Sequence, residues 1–340
     1  MNDVPLPAAM RRRATIVTLS RMTGVAPSTI SRALKGDTRI SAATRERVTA
    51  LAQEMGYTPN ALARTLSSGR SGLVGLVLGP STHPIYTEFL HEAVAQGAER
   101  GMRMLMIHAG AGPIEDRTAE VLLQYKVDGC LITSAELSSR AAAVCAANGV
   151  PVVMVNRVAR EHGSAVACDN AYGGAELAAL LIGRGHRRFG IVNTSNPTST
   201  AVEREQGFVR HLEREGQDLM LRLDGQSTYE GGFEAGSHIA ALPPEERPDA
   251  VFAVSDIIAM GVLDAFRLGG IAVPGDISVV GFDDIPASAR EIYRLTTIAQ
   301  PLKAMVRRGL DLLSARIADP GLPDEAVTLR GKLIIRGSVR

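Results

Sequence analysis

The chain has 340 residues, 45% of them hydrophobic and 21% charged, which is typical of a soluble protein with two to three domains. The formal net charge is only +1, but residues 1–70 carry 11 Lys and Arg against 4 Asp and Glu, whereas residues 71–340 carry 26 against 32. A small cationic segment attached to a mildly acidic body favours nucleic-acid binding over a merely solvated basic surface, because cations neutralise phosphates whatever the base sequence.

The N-terminal end predicts neither export nor membrane insertion. Residues 1–9 contain no apolar signal core, and no run approaches the roughly 18 apolar residues of a membrane span. The cysteines Cys130, Cys145 and Cys168 are widely spaced in apolar surroundings, which predicts reduced core residues rather than a disulfide framework or metal site. We therefore expect a cytoplasmic protein in which residues 1–13 form a disordered extension, with Met10 as an alternative translation start.

Residues 15–35 predict two short helices joined by a turn. Thr15 can cap the first helix, Gly24 can end it, and Pro27 suits the first turn of the second. Such a pair is typical of a helix-turn-helix, although an ordinary helical hairpin with a solvated outer face has the same outline.

The second helix has one apolar face and one polar face. Helical spacing predicts a small core formed by Leu19, Val25, Ile30, Ala33 and Leu34. The polar face consists of Ser28, Ser31, Arg32 and Lys35. Cations pair with phosphates and short hydroxyl groups reach base edges, so this face is suited to a DNA major groove.

A third helix and a conditional helix are expected next. Ser41 can cap a helix whose apolar stripe, Val48 to Met55, ends at Gly56. The helical segment from about Asn60 to Ser67 is shorter than the roughly 12–15 residues that an isolated helix needs. We expect it to remain a tether or to become helical when a partner supports it.

These segments resemble the lactose-repressor (LacI) family of bacterial transcription regulators. The matching motifs are TIVTLSRMTGVAPSTISRAL (15–34), RISAATRERV (39–48) and GYTPNALARTL (56–66). The resemblance implies a DNA-binding headpiece at 14–58 and a hinge helix at 59–70 on a pseudo-palindromic operator. By position it implies DNA contacts from Ile16, Pro27, Ser28, Ser31, Arg32, Lys35, Arg39, Asn60, Ala63 and Leu66. Ala63 and Leu66 would enter the minor groove. An apolar side chain inserted there partly unstacks a base step, and the resulting bend in the DNA offsets this cost by bringing more protein surface into contact.

Three residues depart from the family pattern. Thr18 stands where the family has an acidic residue, Ser20 where it has alanine, and Ala26 where it has the serine before the second helix. Losing a serine cap typically costs about 1 kcal/mol, which Pro27 offsets in part, so a marginally stable headpiece is expected. Because neither Pro27 nor Ser28 can make a long bidentate base contact, these positions do not predict the operator sequence.

From Leu73 onward, short apolar runs alternate with helix-length segments. The runs are 73–78, 103–107, 128–133, 151–155, 188–192, 249–254 and 277–281, and the helical segments are 86–100, 116–126, 137–148, 171–183, 200–215, 230–241, 256–268 and 302–317. This alternation predicts parallel sheets covered on both faces. Residues 71–340 are too many for one doubly wound sheet, so we expect two lobes, approximately 71–160 plus 293–320 and 161–292 plus 321–340, with a final strand pair near the C-terminus.

Motifs in this region resemble the family's periplasmic-binding-protein-like core. They are VMVNR (153–157), CDNAYGG (168–174), LIGRGHRRFGIV (181–192), ERxxGF (203–208), FAVSDxxAxG (252–261), VPGDISVVGFDD (273–284) and LTTIAQP (295–301). The resemblance implies that 71–340 is an effector-binding and dimerisation core. The implied effector-binding residues are Asn156, Asp169, Thr198, Thr200, Arg204, Ser227, Ser255 and Asp283, and Tyr86 is expected to close the other wall. An arginine with carboxylates and hydroxyl groups can hold a polyol, sugar acid or nucleobase, although Ser255 and Asp283 also suit purely structural roles.

Other protein classes fit the sequence less well. Solute-binding proteins share such a core but begin with a signal peptide. The nearest approach to a dinucleotide-binding loop, Gly110 to Pro113, has proline where the helix should continue, and His91-Glu92 lacks the second histidine of a zinc-protease motif. No nucleophile elbow or P-loop is present, so no catalytic residue, metal or cofactor is expected.

The sequence thus predicts an all-α helix-turn-helix headpiece with a hinge helix, followed by a two-lobed α/β core of two doubly wound parallel sheets. The expected partners are double-stranded DNA, a small-molecule effector and a second copy of the chain, with no membrane. A nucleoid-associated repressor is favoured, with an effector-dependent activator as the alternative.

Overall fold

The computed structural model describes residues 14–57, 70–79, 83–109, 116–133, 139–157, 163–194 and 198–340. The chain divides into two compact units between Ser71 and Gly72. The predicted extension at 1–13 and almost all of the predicted hinge helix lie outside the described residues.

The first unit contains three helices in its described part: α1 (Ile16–Thr23), α2 (Pro27–Leu34) and α3 (Ala42–Glu54). Thr15 caps α1, as predicted, by accepting the backbone N–H of Thr18 at 3.2 Å. The hydroxyl of Thr18 in turn accepts the N–H of Thr15 at 3.4 Å, so Thr18 completes the capping box in place of an acidic residue. Gly24 ends α1 in the left-handed region at φ 69°.

The three helices enclose the small apolar core that the sequence predicts. Leu19, Ile30 and Val48 are completely buried, one from each helix. Ser41 caps α3 by accepting the N–H of Thr44 at 3.3 Å, whereas Ala26 gives α2 no side-chain cap. The predicted loss of the second cap is therefore confirmed.

The second unit consists of helices and strands in the order that the apolar pattern indicates. Its helices are α4 (Ile85–Glu99), α5 (Asp116–Gln124), α6 (Ser139–Ala147), α7 (Asn170–Gly183), α8 (Ser199–Arg214), α9 (Tyr229–Ala241), α10 (Asp256–Leu268) and α11 (Leu302–Ala318). Its strands are β1 (Leu73–Leu78), β2 (Arg103–His108), β3 (Gly129–Thr133), β4 (Val152–Val155), β5 (Ser164–Cys168), β6 (Phe189–Asn193), β7 (Leu219–Asp224), β8 (Ala250–Ala253), β9 (Ser278–Val280), β10 (Thr297–Ala299), β11 (Ala326–Leu329) and β12 (Lys332–Ile334). Each predicted helical segment coincides with one of these helices.

Two parallel sheets form two lobes. The first sheet has the order β11-β5-β4-β3-β1-β2 and the second β7-β6-β8-β9. The antiparallel pair β10-β12 lies where the chain passes between the two lobes. Its close packing requires a glycine at position 331, because a side chain there would collide with Ile298 and Ala299. The sulfur of Cys168 would lie 3.3 Å from the Cβ of such a side chain, so β5, β10 and the turn between β11 and β12 come together at Gly331.

The structure corrects the lobe boundaries expected from the sequence. β5 and β11 were expected in the second lobe, but they pair with each other in the first sheet. Small residues fill β5 (SAVAC), so no run of large apolar residues marks it. The expected C-terminal strand pair is also corrected, because β11 joins the first sheet and β12 pairs with β10.

The two lobes are covered as parallel sheets require. Five phenylalanines are completely buried in the second lobe: Phe189, Phe208, Phe252, Phe266 and Phe282. Burial of each such side chain stabilises the folded state by roughly 1.5–3 kcal/mol. The three cysteines are buried and unpaired. Of the helices in the described ranges, none combines the length and apolar character that crossing a bilayer would take.

Candidate functional site

The first candidate site is the exposed face of α2. Pro27, Ser28, Arg32 and Lys35 are exposed, and Ser31 is half-buried beside them. Arg32 and Lys35 form no ion pair with any residue that the structure describes, so both charges are available to phosphates or bases. The face therefore has the chemistry that the sequence predicts.

The other predicted DNA contacts differ in their surroundings. Ile16 is half-buried and packs against the headpiece core. Arg39 is exposed but binds Asp37 with two nitrogens, at 3.0 Å from Nε and 2.8 Å from Nη2, and these hydrogen bonds lower the pKa of Asp37 to about 2. Its charge is thus already balanced. Asn60, Ala63 and Leu66 lie outside the described residues.

The second candidate site is a cleft between the two lobes. Its lining residues follow the carboxyl ends of strands from both sheets, where doubly wound sheets bind ligands. Of the residues predicted, the cleft is lined by Tyr86, Asn156, Thr198, Thr200, Arg204, Ser227, Ser255 and Asp283. It is also lined by His83 and Arg157, which were not predicted from the sequence.

Asp169 is the one predicted effector residue that the described cleft lining does not include. Its carboxylate accepts the N–H of Tyr172 at 3.1 Å and caps α7. A cap at the first helix after β5 explains a carboxylate at this position without a ligand.

Arg204 is the most firmly held charge in the cleft. Its Nε donates to Asn170 Oδ1 at 3.0 Å, its Nη1 to the carbonyl of Val254 at 2.8 Å, and its Nη2 lies 3.0 Å from Asp283 Oδ1. The guanidinium also lies over the ring of Phe282, 3.9 Å from the centroid. These contacts fix the position of Arg204 before any ligand arrives.

Both carboxylate oxygens of Asp283 have polar neighbours. Oδ1 accepts from Arg204 and from Gln300 Nε2 at 2.6 Å, and Oδ2 lies 3.1 Å from His83 Nε2. Burial alone would raise its pKa, but Arg204 and then His83 bring the pKa below the ordinary value. Asp283 therefore remains ionised.

His83 joins the first lobe to Asp283 in the second. Its Nδ1 accepts the backbone N–H of Ile85 at 3.3 Å, and its Nε2 lies 3.1 Å from Asp283 Oδ2. The imidazole thus connects the two lobes.

Arg157 lies on the opposite wall and is only 6% exposed. Its Nη1 donates to the carbonyl of Asn156 at 2.9 Å, and its Nη2 donates to Tyr86 Oη at 3.1 Å. Arg157 directly follows Asn156 in the VMVNR motif, so its position at a strand end could have identified it.

The hydroxyl groups of the cleft lie at the starts of second-lobe helices. Thr198 caps α8 and bonds Thr200 at 3.0 Å, Ser227 precedes α9, and Ser255 stands at the cap position of α10 without capping it. Helix N-termini carry partial positive charge and suit anionic or strongly polar ligands.

Several cleft residues have strained backbones. Asn156, Ser227 and Asp283 have φ values of 60°, 57° and 127°. Left-handed residues other than glycine cost about 1–3 kcal/mol each and concentrate at ligand sites. Within the described ranges, no three His, Cys, Asp or Glu side chains gather as a metal site would require.

Comparison with known proteins gives two family matches. Residues 15–60 match the model for bacterial regulatory proteins of the lacI family, and residues 178–339 match the periplasmic binding protein-like domain. The ribose operon repressor of Escherichia coli K12 is 31% identical over 96% of this chain and 99% of its own length.

Solved structures resemble the whole chain. A complex of the transcriptional regulator CelR with cellobiose is 30% identical, covers 96% of this chain and 100% of its own, and has a TM-score of 0.71. The lac repressor dimer bound to operator and the anti-inducer ONPF has a TM-score of 0.87, covering 96% of this chain and 99% of its own. At 23% identity, that second likeness establishes the fold alone.

Proposed function

The chain belongs to the lacI family of bacterial regulatory proteins, and we propose that it represses transcription from an operator under the control of a small polar effector. The observation that carries the proposal is the combination, in one chain, of an exposed cationic helix face with a preorganised polar cleft. The E. coli relative named as a ribose operon repressor supports repression, and the cellobiose complex of CelR supports a sugar-like effector.

The proposed DNA contacts are of two kinds: some read the base sequence, and others position the protein on the phosphate backbone. Ser28, Ser31 and Arg32 would reach base edges, while Lys35 would hold phosphates. In residues 59–70, which lie outside the described part except Arg70, Leu66 would act as the minor-groove wedge. This division predicts that Arg32 contributes to sequence discrimination and not only to affinity.

The protein is proposed to act as a homodimer in the cytoplasm, associated with the nucleoid. A two-fold dimer presents two headpieces, so its operator should be a near-palindrome with two half-sites. The lac repressor dimer on its operator supports this arrangement.

The test begins with an operator selected from random double-stranded DNA by repeated binding and sequencing. An inverted repeat should emerge, and Arg32→Ala should bind it about 10- to 100-fold more weakly while keeping most of its non-specific affinity, because a base contact contributes roughly 1–3 kcal/mol. The measurement is fluorescence anisotropy at fixed salt.

Arg184→Ala is the matched control, since it removes the same charge from an exposed position in the second unit. It should bind the selected operator as wild type does. Equal operator affinity for Arg32→Ala and wild type would contradict the reading face, and selected sites without two-fold symmetry would contradict the dimer.

A further inference from the structure

We propose that the effector is a hydroxylated anion, such as a sugar acid or sugar phosphate, whose negative group pairs with Arg157. The inference rests on the proposed function, because it names the ligand class of the same cleft. It follows from the charge balance of the lining residues.

Arg157 is a buried cation with no anion among the residues that the structure describes. It is 6% exposed, and its two observed acceptors, the carbonyl of Asn156 and the hydroxyl of Tyr86, are both neutral. No carboxylate in the part of the chain that the structure describes lies within ion-pair distance of its guanidinium. Burying an unpaired charge is unfavourable, so an anion beside Arg157 would relieve a cost that the unliganded cleft carries.

The other guanidinium group of the described cleft lining already has an anion. Arg204 pairs with Asp283 at 3.0 Å, and His83 Nε2 lies 3.1 Å from the same carboxylate. The lining that the structure describes therefore holds two guanidinium groups against one carboxylate. A neutral ligand would leave this excess positive charge buried, whereas a monoanion would balance it.

A second, independent observation indicates that the ligand also donates hydrogen bonds. The Oδ1 atom of Asn156 is buried and has no hydrogen-bond partner in the structure, and Asn156 lines the cleft next to Arg157. A ligand hydroxyl group would satisfy this acceptor. Thr198 and Ser255, at the starts of α8 and α10, add further polar contacts on the second-lobe wall.

The experiment compares charged ligands with neutral counterparts of the same carbon skeleton. Gluconate is paired with glucitol, galactonate with galactitol, and ribose 5-phosphate with ribose, so carboxylates and phosphates are tested separately. Melting temperatures and binding isotherms are measured on the full chain for wild type, Arg157→Gln and Arg157→Lys. Arg157→Gln removes the charge, while Arg157→Lys retains it and serves as the matched control.

The expected result is that a charged compound stabilises wild type and its neutral counterpart does not. Arg157→Gln should then lose about 10- to 100-fold in affinity for that compound, as the loss of a charge-assisted contact predicts, and Arg157→Lys should retain more of it. If a neutral compound binds wild type as tightly as its charged counterpart, the proposal of an anionic effector is wrong. The proposed control of repression by an effector is not affected by that result.

The unliganded variants decide the question if no compound of the set binds. Relief of an unpaired buried charge predicts that Arg157→Gln melts at or above the temperature of wild type, with an unchanged circular dichroism spectrum. A clearly lower melting temperature overturns the proposal, because Arg157 is then a structural residue. Failure of the proposed function would be seen in a different experiment, the operator selection, in which wild-type protein would then select no operator.

Discussion

At the scale of single residues, two carboxyl groups are buried together near the end of β9. Asp256 accepts the hydroxyl of Thr297 at 2.6 Å and the N–H of Ile285 at 3.0 Å. Burial, and then the charge of Asp283, raise the pKa of Asp256 from 3.8 to about 7. Between these values the folded protein keeps a proton that the unfolded chain has lost, so the unfolding free energy falls as pH rises through this window.

Asp256→Asn should remove this pH dependence. The amide can accept from Ile285 and donate to Thr297, so the variant should gain on wild type in unfolding free energy as pH rises from about 4 to 7, by roughly 1 kcal/mol for each pH unit, and should gain no more above pH 7. Urea unfolding at several pH values measures the difference. Asp218→Asn, at an exposed position, is the control, and a constant offset between Asp256→Asn and wild type would contradict the assignment.

Residues at strand and helix ends were the most predictable part of the cleft. Asn156, Ser255 and Asp283 follow apolar strands directly, so their position relative to the sheet follows from the sequence pattern. Asp169 follows a strand equally closely, but its carboxylate caps a helix, which the pattern cannot distinguish from ligand binding. The unpaired charge of Arg157 could not be predicted, because it depends on which residues of distant segments approach it.

At the scale of secondary structure, the helices were predictable and several strands were not. The edge strand β7 alternates half-buried and exposed residues, and β11 does so as well, so neither forms the continuous apolar run expected of a central parallel strand. The predicted lobe boundary was wrong because β5 was not predicted as a strand and β11 was expected in a C-terminal strand pair, whereas both belong to the first sheet.

Two glycines bring α7 and α8 into backbone contact near Arg204. A side chain on Gly174 would overlap the carbonyl of Arg204, and one on Gly207 would overlap the carbonyl of Ala171. This close approach allows Arg204 on α8 to reach Asn170 on α7. The short distance between the helices is thus part of how the cleft is built.

Gly207→Ala should lower the unfolding free energy of the second unit by about 1–3 kcal/mol or more, because neither backbone can move away cheaply. Gly183→Ala is the matched control on α7, where the added methyl group meets open space and no positive φ is involved. Helix propensity predicts that it is neutral or stabilising by up to about 1 kcal/mol. Denaturant unfolding of both variants measures the contrast, and equal stabilities would contradict the close packing of α7 and α8.

At the scale of the whole molecule, effector control requires that the ligand bind two lobe arrangements with different affinities, since a ligand shifts an equilibrium only through differential binding. Arg204 and Asp283 pair within the cleft, and His83 adds a contact from the first lobe to the same carboxylate. A ligand that engages these groups acts on both lobes at once. A change in the angle between the lobes is the proposed signal to residues 59–70.

Arg204→Ala tests this coupling. Removing one partner of a buried ion pair should destabilise the second unit by roughly 3–5 kcal/mol, but the headpiece is a separate compact unit, so the folded variant should bind operator with affinity near wild type. Its operator affinity should no longer respond to the effector. The control is Arg308→Ala, which breaks the pair of the partly exposed Arg308 with the exposed Glu325 and should cost at most about 1 kcal/mol. Operator titrations with and without effector, on protein whose folding is verified by denaturant unfolding, measure both effects. An Arg204→Ala protein that responds at the wild-type effector concentration would exclude Arg204 from effector coupling. A folded variant that fails to bind operator would show that Arg204 acts beyond the cleft.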